Sequence, residues 1–81
     1  SAPLSVDMQV VTIYTGTKGY LDTLAVEQVR PFLDGLREYM KTNKPQFSSE
    51  VLETKKMSPE AEEMLKEAIT AYTAMFLETA K

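Results

Sequence analysis

The sequence predicts an all-α fold, a small bundle of three to four helices, on three observations. Apolar residues recur at helical spacing in two long segments, prolines stand where helices begin, and no segment offers a strand with a partner of comparable quality. The chain of 81 residues makes one small helical domain, 1–81. With 43% hydrophobic and 26% charged residues it lies in the ordinary globular range, so neither wholesale disorder nor a membrane span is expected.

Residues 1–4 read as an extended lead-in, because Pro3 biases Ala2 away from helical backbone. Ser5 is then the expected N-cap of a first helix over about 6–15, with Val6, Val10, Ile13 and Tyr14 on its apolar face. The competing reading of 10–14 is a strand, since Val10, Val11, Thr12, Ile13 and Tyr14 are all β-branched or aromatic. Gly16 is the expected stop and Gly19 allows a further turn. Asp22 or Thr23 is expected to cap a second helix over about 24–42, with Glu27 favourably placed near its start. Val26, Val29, Phe32, Leu33, Leu36, Tyr39 and Met40 form its stripe. Pro31 predicts either a kink or a helix whose regular part starts there, and Gly35 weakens the segment by about 1 kcal/mol relative to alanine.

Pro45 suits the first position of a short third helix through about residue 53, anchored by Phe47, Val51 and Leu52. Residues 55–57 form a connection. Ser58, Pro59 and Glu60 then combine an N-cap, a proline at the first helical position and an acidic first turn. The last helix directs Ala61, Met64, Leu65, Ala68, Ile69, Tyr72, Met75, Phe76 and Ala80 inward, while Glu60, Glu63, Lys66, Glu67 and Thr70 face water.

Composition removes several functions. A net charge of −3 offers no clustered cationic footprint for nucleic acid. Without Cys or His there is no disulfide, no thiolate, and neither the commonest general base nor the commonest transition-metal ligand. Asp7, Asp22 and Asp34 are separate carboxylates. Glu60, Glu62, Glu63 and Glu67 read most simply as a solvated helix face, and Glu63 with Glu67 gives too few ligands for calcium or magnesium. Gly16-Thr17-Lys18-Gly19 has the residue types of a phosphate-cradling loop but not the order. The tyrosines Tyr14, Tyr20, Tyr39 and Tyr72, with Phe32, Phe47 and Phe76, are core or interface groups before they are a stacking platform. Met40, Met57, Met64 and Met75 fill gaps in a small core. The last helix is too acidic for a lipid surface and better suited to a protein partner. No catalytic, cofactor-binding or metal-binding residue is therefore assigned, and no enzymatic activity is expected of the polypeptide alone.

The ordered set Gln9, Val10, Ile13, Tyr14, Gly16, Gly19, Tyr20, Leu21, Asp22, Gln28, Val29, Phe32, Leu33, Leu36 and Arg37 is followed by Lys44-Pro45-Gln46-Phe47 and an acidic run from Glu60 to Ile69. This arrangement resembles the C-terminal helical region of the alpha subunit of rotary ATP synthases, chloroplast or bacterial type. Pro31 departs from that family, where lysine is frequent. The resemblance implies the latter part of a larger C-terminal domain, hence a fragment, non-catalytic and serving structure and coupling in proton-driven ATP synthesis. It implies the alpha/beta ring as partner and a place peripheral to a thylakoid or bacterial inner membrane, on the stromal or cytoplasmic side, without direct insertion. The family's phosphate-binding motif and catalytic-interface arginine have no counterpart here. The alternative is a free-standing or engineered helical interaction module. If helices preceding this segment normally cover part of its stripe, Val26, Val29, Leu33, Leu36 and Met40 become a possible interface, and the isolated polypeptide either repacks or forms a homodimer through them.

Overall fold

The computed structural model describes residues 3–79, and these form four helices with no strand among them: α1 (Val6–Thr17), α2 (Val26–Asn43), α3 (Pro45–Thr54) and α4 (Pro59–Thr79). The all-α bundle expected from the sequence is what forms, and the strand reading of 10–14 is set aside. One core joins all four helices, built on Met8, Val11, Phe32, Leu36, Met40, Phe47, Val51, Leu65 and Ile69.

The first helix differs from expectation in its face and its end. Its buried residues are Asp7, Met8, Val11, Tyr14 and Thr15, so the core side is turned away from Val6 and Ile13, which are exposed. Two polar residues can lie inward because each is satisfied locally. The Ser5 hydroxyl donates to Asp7 Oδ1, and Thr15 Oγ1 donates to the Val11 carbonyl at 2.6 Å. Ser5 occupies the N-cap position but makes no side-chain capping bond. Gly16 does not stop the helix; Gly19 does, with φ of +82°. The Gly19 N–H donates to the Gly16 carbonyl and the Tyr20 N–H to the Thr15 carbonyl, the paired reverse bonds of a Schellman motif. Tyr20 then stacks on Tyr14, with centroids 6.3 Å apart, supplying the apolar contact that accompanies this turn.

The start of α2 also lies elsewhere than expected. Neither Asp22 nor Thr23 caps it. Ala25 holds the N-cap position, and Gln28 Oε1 accepts from the Ala25 N–H at 2.8 Å, so a side group three residues into the helix reaches back in place of a capping hydroxyl. Helical backbone continues through Pro31, so the helix does not begin there. The third helix follows after a single residue and ends with Lys55 in the left-handed region, φ 59°. For α4 the expected signal holds. Ser58 Oγ accepts from the Ala61 N–H at 3.0 Å, while its own hydroxyl donates to Glu50 Oε2 on α3. One serine thus caps a helix and ties it to its neighbour. On α4, Ala61, Leu65, Ala68 and Ile69 are buried and Met64, Tyr72 and Phe76 half-buried. Met75 is 53% exposed rather than inward, and Ala80, like the lead-in at Ser1 and Ala2, lies outside the described residues.

Gly35 has a role the sequence did not disclose. A β-carbon there would lie 1.7 Å from the Tyr72 hydroxyl oxygen. The glycine therefore lets α4 approach α2 closely enough for Tyr72 to join Phe32, Tyr39 and Phe76 in one aromatic cluster, with centroids 5.3, 5.7 and 6.2 Å from its own.

Candidate interaction surface

The side-chain polar contacts that tie this fold together run between its helices. Among the described residues no three carboxylates, cysteines or histidines converge as a metal site. The turn Gly16-Thr17-Lys18-Gly19 spends its backbone donors internally, because the N–H groups of Lys18, Gly19 and Tyr20 all bond to carbonyls of α1. They cannot cradle a phosphate. Lys18 Nζ stands 5.7 Å from the Tyr14 ring centroid.

Tyr14 is a buried group whose hydroxyl bridges two helices. It is 6% exposed, and its hydroxyl donates to Glu62 Oε2 at 2.9 Å, joining α1 to α4. Burial, and then the bond to Glu62 and that residue's negative charge, push its hydroxyl up to about 12. Asp7 moves the other way. Burial would raise its carboxyl, but the Ser48 and Ser5 hydroxyls and the N–H groups of the first helical turn outweigh it and hold the group below the ordinary carboxylate range. Ser48 Oγ makes no hydrogen bond of normal geometry, so its influence on Asp7 is that of a nearby dipole. A third link joins α1 to α2: Arg37 donates to Thr12 Oγ1 at 3.0 Å and pairs with Asp34 at 2.6 Å. Of the acidic face on α4, Glu60, Glu63 and Glu67 are exposed, and Glu67 pairs with Lys44 at 3.4 Å. Such an exposed pair contributes little.

The stripe expected as an interface is divided by the fold. Leu36 and Met40 are fully buried in the protein's own core, so they have no surface to offer a partner. The reason is that Phe32, Leu36 and Met40 lie on the side of α2 that enters the core shared with α1, α3 and α4. Val29 and Leu33 are half-buried, and Val26 is 88% exposed. The apolar surface that sequence reasoning missed lies on α1 and the residues leading into it, where Leu4, Val6 and Ile13 are 38–62% exposed. The signal was present, since α1 is apolar on more than one side and residues 8–17 carry no charge. No helix among the described residues is long and apolar enough to cross a membrane.

The sequence profile of the family described as "ATP synthase alpha/beta chain, C terminal domain" matches residues 1–72. The matched stretch takes in α1, the Schellman turn, α2, α3 and α4 as far as Tyr72, the residue seated on Gly35. By that match over most of its length, the protein belongs to the family of C-terminal domains of the ATP synthase alpha and beta subunits.

Proposed function

We propose that this polypeptide is the latter part of the C-terminal helical domain of an ATP synthase alpha subunit of the chloroplast or bacterial type, acting as a non-catalytic structural and coupling segment. The observation that carries this is the family match over residues 1–72, which spans the turn at Gly19-Tyr20-Leu21-Asp22. The assignment to alpha rather than beta rests on that turn together with Gln28-Val29, Phe32-Leu33 and Lys44-Pro45-Gln46-Phe47, which resemble the alpha pattern. The reading puts the protein in the alpha/beta ring, peripheral to an energy-transducing membrane on its stromal or cytoplasmic side. Absence of ATP turnover by the polypeptide alone goes with it: hydrogen-bonding side chains such as Tyr14, Ser58 and Arg37 are engaged between helices.

Immobilised protein mixed with ATP synthase beta subunit tests the proposal. Retention of beta-subunit protein, lost when the immobilised partner is unfolded, is the expected result; no retention, or ATP hydrolysis by the purified polypeptide, overturns it. The second reading, a free-standing or engineered helical module, is favoured by the self-covered positions Leu36 and Met40. Self-association on either reading uses the uncovered part of the stripe, Val26 with the edges of Val29 and Leu33. A monomer mass in light scattering for both wild type and Val26→Glu removes the homodimer.

A further inference from the structure

The fully buried side chains stop short of one end of the bundle. In α2 they begin at Phe32, and in α4 they end at Ile69. The two helices run antiparallel, because Phe32 meets Phe76, Gly35 meets Tyr72 and Lys44 meets Glu67. Residues 26–31 and 73–79 therefore lie at the same end, where Val26, Met75 and Leu77 are exposed. The rings of Phe32, Tyr72 and Phe76 join the two helices at the inner edge of this end, with Phe32 edge-on to Tyr72 and Phe76 at 5.3 and 5.2 Å. The same part of α2 carries its two weakest helical positions: Pro31, which has no N–H to give the carbonyl one turn earlier, and Gly35.

We propose that the outer part of α2 and the outer part of α4 open together as one cooperative unit, hinged in α2 between Pro31 and Gly35 and clamped shut by Phe32, Tyr72 and Phe76. Opening bares those rings while α1, α3 and the inner halves of α2 and α4 keep their packing. Regions with few buried contacts open below the global unfolding free energy, in contiguous units.

Amide hydrogen exchange on the full 81-residue protein tests this. Pro31 is exposed and Pro31→Ala leaves the rings of Phe32, Tyr72 and Phe76 unchanged, so it separates the proposal from simple fraying. It is expected to slow exchange by about tenfold or more at 32–35 and at 73–79 alike, although 73–79 belong to another helix. Phe76→Ala is expected to speed both segments by about tenfold or more and to leave 8–17 and 62–69 unchanged. Slowing in α2 alone under Pro31→Ala, or exchange at 73–79 that follows global unfolding, overturns the proposal.

Discussion

Replacing Gly35 with alanine sets two effects of opposite sign against each other. Helix propensity alone makes alanine the better residue in α2 by about 1 kcal/mol. Against this, the new β-carbon would lie 1.7 Å from Tyr72 Oη and 2.7 Å from its Cζ. Restoring an ordinary carbon contact of about 3.5 Å requires the hydroxyl to retreat by roughly 2 Å. A lone tyrosine tip could swing away, but this ring is flanked by Phe32, Tyr39 and Phe76. Overpacking of this kind costs about 1–3 kcal/mol, and each disturbed aromatic pair about 0.5–1.5 kcal/mol. The steric effect wins, for a net destabilisation of about 1–2 kcal/mol, which lowers Tm by about 4–8 °C per kcal/mol in a domain of this size. Urea unfolding and thermal melts measure it. Tyr72→Phe deletes the closest atom, so Gly35→Ala in that background should be less harmful by about 1 kcal/mol, a coupling that a double-mutant cycle resolves. Gly35→Ala as stable as wild type, or more so, would refute the argument that α4 requires glycine at this crossing.

Three further outcomes follow from the polar contacts. Ser58→Ala removes the cap of α4 and its tie to Glu50, and urea unfolding should show a loss of about 1–2 kcal/mol. Tyr14→Phe should lose about 0.5–1.5 kcal/mol by deleting the bond to Glu62, and spectrophotometric titration should lose the tyrosine that ionises near 12. Because the folded Tyr14 holds its proton more tightly than an unfolded tyrosine, its contribution is complete below pH 10 and fades between pH 10 and about 12, so alkaline destabilisation over that interval should shrink in the variant. Asp7 works at the opposite end of the scale. Its folded carboxyl is held below the unfolded value of about 3.9, so its contribution is present above that pH and is lost as pH falls through and below it. Acid unfolding curves of wild type and Asp7→Asn should therefore converge at low pH, and curves that stay parallel would remove Asp7 from the account.

The legible parts of the fold were those signalled by residues with one dominant backbone effect. Pro45, and Ser58 with Pro59, marked the starts of α3 and α4 because proline at the first helical position and serine before it have few competing uses. The misread parts are those where tertiary partners decide. Hydropathy selected Val6 and Ile13 for the core side of α1, but the buried side runs through Asp7 and Thr15, whose polarity is answered by Ser5 and by the Val11 carbonyl. Gly16 was the expected stop, but the helix ends at Gly19, where the positive φ and the bond from Tyr20 to Thr15 close the turn. The interface stripe was periodic throughout, yet periodicity cannot tell which turns of α2 the other helices reach, so Leu36 and Met40 went to the core and Val26 to solvent. Gly35 read as a defect because the tyrosine that needs the space lies 37 positions further along the sequence.

The reversal after α1 is secured by main-chain bonds, one glycine and one stacked ring. Its geometry consequently makes little demand on the identities of Thr17, Asp22 and Thr23, all exposed. Lineages that need a different charge or a longer polar group at this corner can install one without re-aiming the hairpin. Gly19 and Tyr20 have no such latitude, since any other residue at the first must enter a left-handed backbone and a small residue at the second leaves Tyr14 without its lid.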